Sequence, residues 1–131
     1  MRIFVPPDFA KRAAKEDVSD DDLRAAVARA ERNLIDAQLG LALIKQRIPR
    51  RGQGRSGGFR SILAYRRGEI AIFLHLFAKS AKANLTKAET EVYRELAGTL
   101  TGLGADALRR LAAARGWRRI DDDGPGQDLP Q

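Results

Sequence analysis

The stretch that decides the fold is residues 45–79, which read KQRIPRRGQGRSGGFRSILAYRRGEIAIFLHLFAK. Two apolar runs, residues 59–66 and 70–78, lie on either side of a short turn at Gly68, and this spacing predicts an antiparallel hairpin. The second run is apolar at nearly every position, as is typical of a central strand covered on both faces. A further strand, residues 41–48, precedes the hairpin and ends before Pro49, because proline has no N–H to donate to a sheet.

Helices are predicted on both sides of these strands. Ser19 with Asp22 resembles a capping box ahead of an amphipathic helix that starts at Leu23, and Thr86 with Glu89 is a capping box at the start of a helix over residues 85–101. Toward the N-terminus we predict a strand at residues 2–5 and then a short helix, residues 9–15, capped by Asp8. The order is therefore β-α-α-β-β-β-α, which favours an α+β fold with helices stacked on an antiparallel sheet.

The 131 residues suit one main domain. We place it at residues 1–101. Residues 102–120 are predicted to be a C-terminal addition with a helix over 106–115 and a possible short strand over 117–120. Residues 121–131, which read DDDGPGQDLPQ, have almost nothing to bury and are predicted to be a disordered acidic tail.

Positive charge is concentrated in one segment. Between residues 37 and 68 there are eight Lys or Arg and no Asp or Glu, although the whole chain carries only +7. The eight cations are Lys45, Arg47, Arg50, Arg51, Arg55, Arg60, Arg66 and Arg67. Concentrated cations indicate a phosphate-rich partner, because each neutralised phosphate releases condensed counterions. An activity directed at RNA is the working hypothesis.

Composition argues against several classes of site. The chain has no cysteine and a single histidine, His75, so disulfides, thiolate nucleophiles and a multi-histidine metal site within one chain are excluded. The cationic segment also lacks the clustered carboxylates that metal-dependent phosphodiester cleavage uses. We expect no cofactor and no metal. No run approaches the roughly 20 apolar residues of a membrane span, and the N-terminus lacks the apolar core of a secretory signal, so a cytoplasmic location is predicted.

The order of elements and two motifs resemble a known family. The motifs are GRSGGFR at residues 54–60, and Phe77-Ala78-Lys79 followed by Asn84-Leu85. Together they look like a bacterial type II toxin of the RelE/ParE superfamily, in its HigB-like branch, over about residues 1–100. The resemblance implies a small microbial-RNase-like fold and a cognate antitoxin. It also implies metal-independent cleavage of mRNA on the ribosome, in which the RNA 2′-OH attacks the adjacent phosphate.

Under this hypothesis the cations take individual roles. Arg60 would grip the scissile phosphate through its planar fork of donors, and Lys79 would stabilise the leaving 5′-oxygen or the phosphate. Lys45, if crowded by like charges, would act as general base. The remaining contacts to messenger or ribosomal RNA are assigned to Arg47, Arg50, Arg51, Arg55 and Ser56. RelE itself also uses a C-terminal tyrosine, and here Tyr93 falls within a predicted helix.

Other interpretations remain open. Within the superfamily the alternative is a ParE-like inhibitor of DNA gyrase, which needs no catalytic residues. A non-catalytic basic protein that binds RNA or the ribosome is the alternative from another class. For the glycines at residues 52–58, an ordinary hairpin or bulge competes with phosphate binding. His75, in an apolar strand, is more often a packed residue than a catalyst.

Overall fold

The computed structural model describes residues 1–50, 54–78 and 85–121, and for residues 50 and 54–57 it describes the backbone. Its helices are α1 (Pro7–Lys15), α2 (Asp20–Glu31), α3 (Lys87–Thr101) and α4 (Ala105–Arg115). Its strands are β1 (Arg2–Val5), β2 (Ala37–Gly40), β3 (Leu43–Arg50), β4 (Gly54–Arg66), β5 (Ile70–Ala78) and β6 (Arg118–Arg119). The elements form an α+β fold, as the sequence predicts.

One sheet joins all six of these strands in the order β2-β3-β4-β5-β1-β6. The predicted hairpin is confirmed, since β4 and β5 pair antiparallel from Arg66 with Ile70 to Phe59 with Ala78. The expectation of a purely antiparallel sheet is wrong, because β1 lies parallel to β5. The chain reaches β1 first and returns to its neighbour only after two helices and three strands, so no local turn sets this pairing.

Helices cover the sheet on both faces. Alternate side chains of the strands join α1 and α2 in one apolar core, which contains Phe9, Leu23 and Phe73. The opposite face packs against α3 and α4, with Leu100 and Leu108 contributing to a second core. We call these the α1/α2 face and the α3/α4 face. The prediction that β5 is a central strand covered on both sides is confirmed.

The capping boxes form as predicted at the starts of α2 and α3. Ser19 Oγ accepts the Asp22 N–H at 3.1 Å, and the Asp22 carboxylate accepts the Ser19 N–H at 2.9 Å. Thr86 and Glu89 make the same reciprocal pair. The cap predicted for α1 is wrong, because that helix starts at Pro7, a favoured first-turn residue with a preset φ, and Asp8 lies inside the first turn.

Two strand boundaries differ from the prediction. The strand predicted over residues 41–48 begins instead at Leu43 and continues through Pro49 to Arg50, and a tight turn, in which Gly40, Leu41 and Ala42 all have positive φ, separates it from β2. This extra strand is missing from the predicted order. Residues 54–58, predicted as part of a glycine-rich loop, extend β4 instead, with a register irregularity opposite β3 between Ile48 and Arg50. The described part of the loop thus contains a bulge or irregularity, and phosphate binding there stays a prediction.

At the C-terminal end, α4 contributes Leu108 and Ala112 to the second core, and β6 pairs antiparallel with β1. The division of the chain at residue 101 stays a prediction. The predicted acidic tail beyond Asp121 lies outside the described residues.

A buried glutamine on β3 fixes the chain that leaves α2. Gln46 is fully buried, and its amide donates to the carbonyls of Ala26 at 3.0 Å and Leu34 at 3.2 Å. Its carbonyl oxygen accepts the Asp36 N–H at 2.8 Å. The side chain thereby bonds to Leu34 and Asp36 in the connection between α2 and β2, and it ties that connection to α2 at Ala26.

Replacing Gln46 by leucine is expected to lower the free energy of unfolding by about 1–3 kcal/mol, because the buried side chain loses its three hydrogen bonds to the backbone of Ala26, Leu34 and Asp36. Urea denaturation followed by circular dichroism measures the change. Gln38→Leu, on the exposed side of β2, is the matched control and should cost much less. Equal costs for the two variants would contradict the assigned role of the buried amide.

Candidate functional site

Three of the predicted cations lie on one face of the sheet. On β3, side chains alternate between the faces, so Lys45 and Arg47 lie on the same side as Leu43, a residue of the second core. Arg47 pairs directly with Arg60 of β4, and Lys45 pairs with Ile62 one step along. We call Lys45, Arg47 and Arg60 the cationic site. The strand register brings these residues together on the α3/α4 face.

Arg47 and Arg60 are like charges in directly opposed positions. Burial lowers the pKa of Arg60, Arg47 lowers it further, and Asp36 opposes the shift. The guanidinium keeps its charge, since arginine does not deprotonate in proteins. Like charges placed opposite one another on a sheet are destabilising, and an anion between them removes that repulsion. The arrangement is therefore suited to holding a phosphate.

Asp36 anchors the site from the start of β2. Its carboxylate accepts the backbone N–H of Arg47 at 2.6 Å and approaches the Arg47 guanidinium at 3.8 Å. This contact holds Arg47, and the charge of Asp36 also acts on Arg60, whose pKa it raises against the two larger effects. Sequence reasoning missed Asp36, although its position was a usable signal, since it is the last acidic residue before the segment that has none.

Two cavities border the cationic site. Beside Lys45 a cavity of about 80 Å³ lies at the start of α3. Its lining consists of Leu39, Lys45, Ile62, Phe77, Leu85 and Thr90. The other, of about 270 Å³, lies at the sheet edge and is lined by Arg29, Arg47, Ile48, Pro49 and Gly58. The second is the larger of the two, and its two arginines give it positive charge.

A ring cluster adjoins the cationic site on β5. His75 is half-buried, and its ring stacks against Phe77 at 5.7 Å and against Tyr93 of α3 at 5.9 Å between centroids. Burial lowers the pKa of His75; Glu89 acts to raise it, and Arg12 lowers it further. Burial, followed by the charge of Glu89, raises the pKa of Tyr93, so the phenol stays protonated at neutral pH. Tyr93, which the sequence predicts to lie within a helix, therefore contacts the sheet through the ring of His75.

The pKa of His75 makes stability depend on pH in a defined direction. In the folded chain this pKa lies below the ordinary 6.5, so the unfolded chain binds more protons between the two values. The contribution is complete above about 6.5, the ordinary histidine pKa, and is lost as the pH falls through the folded value. Urea denaturation of the wild type and of His75→Phe across this range measures it. We expect the unfolding free energy of the variant to change less with pH, and identical pH dependence would contradict the assignment.

The remaining predicted site residues are placed only in part. Arg50 ends β3 opposite Gly54, and Arg55 and Ser56 belong to β4, so these three lie beyond the cationic site along the same pair of strands. Arg51 and Lys79 lie outside the described residues. In the part of the chain that the structure describes, no group of three or more His, Asp or Glu residues is arranged so that it could hold a metal ion.

Comparison with protein families gives a match over most of the chain. A family model described as the RelE toxin of the RelE/RelB toxin-antitoxin system matches residues 1–120. The chain belongs to the RelE toxin family. The match includes α4 and β6 as well as the strands that carry the cationic site. No curated protein matches the chain.

Membership of the RelE family identifies the protein as the toxin of a toxin-antitoxin system and implies a cognate antitoxin as its partner. The six-stranded, mostly antiparallel sheet with helices on it agrees with a RelE-like fold. Among the described residues, every helix is too short or too polar to cross a lipid bilayer.

Proposed function

We propose that the protein is a ribosome-dependent endoribonuclease that cleaves mRNA without a metal, by attack of the RNA 2′-OH on the adjacent phosphate. The observation that supports this proposal most strongly is the direct pairing of Arg47 with Arg60, with Lys45 on the same face. A gyrase inhibitor would act through a protein surface and has no evident need for converging cations. RelE-family membership, established over residues 1–120, makes translation the natural target.

The reaction needs positive charge more than it needs a protein nucleophile. When the 2′-oxygen attacks, the phosphorus passes through a five-coordinate state with additional negative charge, which positioned donors stabilise. Arg60 offers a planar fork to two phosphate oxygens, and Arg47 adds a second guanidinium on the neighbouring strand. Lys45 supplies a third charge. Its role as general base stays a prediction, as does the role of Lys79 at the leaving 5′-oxygen.

Contacts away from the cleaved bond would follow the same strands. We assign phosphate contacts along the RNA to Arg47, Arg50, Arg51, Arg55 and Ser56. The cavity shared by Arg29 and Arg47 supports this direction, because it continues the positive surface around the sheet edge. The partners in this proposal are mRNA and ribosomal RNA, and the location is the cytoplasm, where translation takes place.

Two finer assignments belong with this proposal. GRSGGFR at residues 54–60 and Phe77-Ala78-Lys79 support placement in the HigB-like branch of the superfamily. The antitoxin is expected to present acidic residues to the cationic site, since charge complementarity would neutralise the site and block RNA together.

Primer extension on a reporter mRNA tests the function. The protein is added to a bacterial translation extract with and without assembled ribosomes. We expect new RNA ends in register with the reading frame, and only when ribosomes are present. If no new ends appear and translation continues, mRNA cleavage is excluded, and a gyrase supercoiling assay then tests the ParE-like alternative. Salt-dependent RNA binding without cleavage would favour the non-catalytic interpretation.

A further inference from the structure

A β-bulge decides which way the only histidine of the chain points. Ile62 pairs with His75, but the next residue, Leu63, pairs with Phe73, so Leu74 is an extra residue on β5. Strict alternation would place His75 on the α1/α2 face with Phe73. The bulge shifts the alternation by one residue and places His75 on the α3/α4 face, where it meets Tyr93.

We propose that His75 is the group that removes the proton from the attacking 2′-oxygen, an assignment that rests on the ribonuclease function proposed above. It replaces Lys45 in the role of general base. The proposal names a catalytic residue that neither the charge pattern nor the family motifs single out.

The strand register places His75 beside the cationic site. Lys45, Ile62 and His75 form one row across β3, β4 and β5, and Arg47, Arg60 and Phe77 form the next row. His75 is therefore a diagonal neighbour of Arg60, at about 7–8 Å between backbones, which long side chains span. A phosphate held by the Arg60 guanidinium would lie over the sheet between the two residues, within reach of the imidazole.

Two ring contacts hold the imidazole of His75 in one orientation. Stacking against Phe77, two residues further along β5, and against Tyr93 of α3 restrains the imidazole ring. The His75 side chain has no hydrogen bond to another residue in the described part of the chain, so neither ring nitrogen has a structural partner there. A restrained ring whose nitrogens are not used by the fold is what a positioned base requires.

Charged side chains act on the His75 ring from both helices beside it. Glu89 faces His75 from the first turn of α3 and is itself held by Thr86 in the capping box, and Arg12 acts on the ring from α1. The pKa of Glu89 is lowered, first by its hydrogen bonds with Thr86, so it stays ionised. With burial as the largest effect, the pKa of His75 falls below its ordinary value and the ring is neutral at pH 7. A neutral imidazole can accept a proton.

The proposed step transfers two protons and exchanges one bond at phosphorus. The 2′-O–H bond breaks and its proton passes to an imidazole nitrogen of His75, while the 2′-oxygen forms a bond to phosphorus. The bond from phosphorus to the 5′-oxygen breaks, and that oxygen takes a proton from the Lys45 ammonium. The products are a 2′,3′-cyclic phosphate and a 5′-hydroxyl. The imidazolium then returns its proton to Lys45 through solvent, which restores both groups.

NMR on the untagged wild-type protein tests the position of His75 without relying on cleavage. Because the chain has one histidine, its imidazole gives a single Cε1–Hε1 signal. The signal is titrated with pH, alone and with a trinucleotide RNA that carries 2′-O-methyl groups and cannot be cleaved. We expect bound RNA to move the titration midpoint to higher pH, and Arg60→Gln to abolish that movement.

Two outcomes of this titration would overturn the assignment. If backbone signals of β4 and β5 respond to the RNA but the imidazole midpoint stays in place, RNA binds at the proposed site and His75 is not beside the phosphate. If no signal responds, the RNA site fails and the base assignment fails with it.

Cleavage kinetics on ribosomes test the role itself. His75→Phe keeps a ring that can stack on Tyr93 but removes the base, and His75→Gln keeps polarity. We expect both variants to cleave about 10²–10⁴-fold more slowly and to lose the rise of rate with pH that wild type shows as the imidazole deprotonates. If the wild type cleaves and His75→Phe matches its rate and pH profile, the ribonuclease function stands and the assignment of His75 is wrong.

Discussion

Arg60→Ala is expected to slow mRNA cleavage by about 10²–10³-fold, the usual cost of removing one donor that stabilises charge in the transition state. Arg60 is the cation opposed directly by Arg47, and its side chain is half-buried on the α3/α4 face. Without the Arg60 guanidinium, only that of Arg47 remains to bind the phosphate oxygens. Single-turnover cleavage of a ribosome-bound mRNA measures the loss.

Arg66→Ala is the matched control for this variant. Arg66 lies on the same strand, is exposed, and has a 3.7 Å ion pair with Glu69 at the turn. Exposed ion pairs of this kind contribute about 0–1 kcal/mol, so the control should fold normally and cleave at the wild-type rate. Equal activity of Arg60→Ala and wild type, with the fold intact, would remove Arg60 from the site.

Phe73→Ala is expected to lower the free energy of unfolding by about 3–5 kcal/mol, because it opens a cavity in a core that cannot close around it. Phe73 is fully buried on the central strand β5, and the centroid of its ring lies 5.1 Å from the centroid of the Phe9 ring. The residue joins α1 to the sheet. Since total stabilities of domains are about 5–15 kcal/mol, this one change removes much of the available stability.

Urea denaturation of wild type and Phe73→Ala measures this cost. Leu41→Ala is the comparison, since Leu41 is 65% exposed in the turn between β2 and β3. We expect that comparison to differ from wild type by less than about 1 kcal/mol. If Phe73→Ala also lowers the free energy of unfolding by less than about 1 kcal/mol, the α1/α2 face is not packed as described.

The features that the sequence predicted correctly are the local ones. The hairpin of β4 and β5 follows from alternating apolar residues about a glycine turn, and both capping boxes follow from residues three positions apart. The convergence of Lys45, Arg47 and Arg60 also follows from local rules, because a period of two places Lys45 and Arg47 on one face and a hairpin-like pairing adds Arg60.

The features that were missed depend on non-local packing or on unusual backbone conformations. The turn between β2 and β3 uses positive φ at Leu41 and Ala42, which such residues rarely adopt and which no residue preference predicts. The parallel pairing of β1 with β5 brings together segments far apart in the chain. The bulge at Leu74 places His75 on the α3/α4 face, which strict alternation along β5 would not predict.

The most direct test of the central claim uses a ribosome-bound mRNA in which one nucleotide, the one 5′ of the cleaved bond, carries a 2′-O-methyl group. The position of cleavage is first mapped on unmodified mRNA, and the ends of the products are then identified chemically. We expect the modification to abolish cleavage at that bond alone, and the unmodified mRNA to yield a 2′,3′-cyclic phosphate and a 5′-hydroxyl. Undiminished cleavage of the modified bond, or products with a 5′-phosphate, would contradict attack by the RNA 2′-OH.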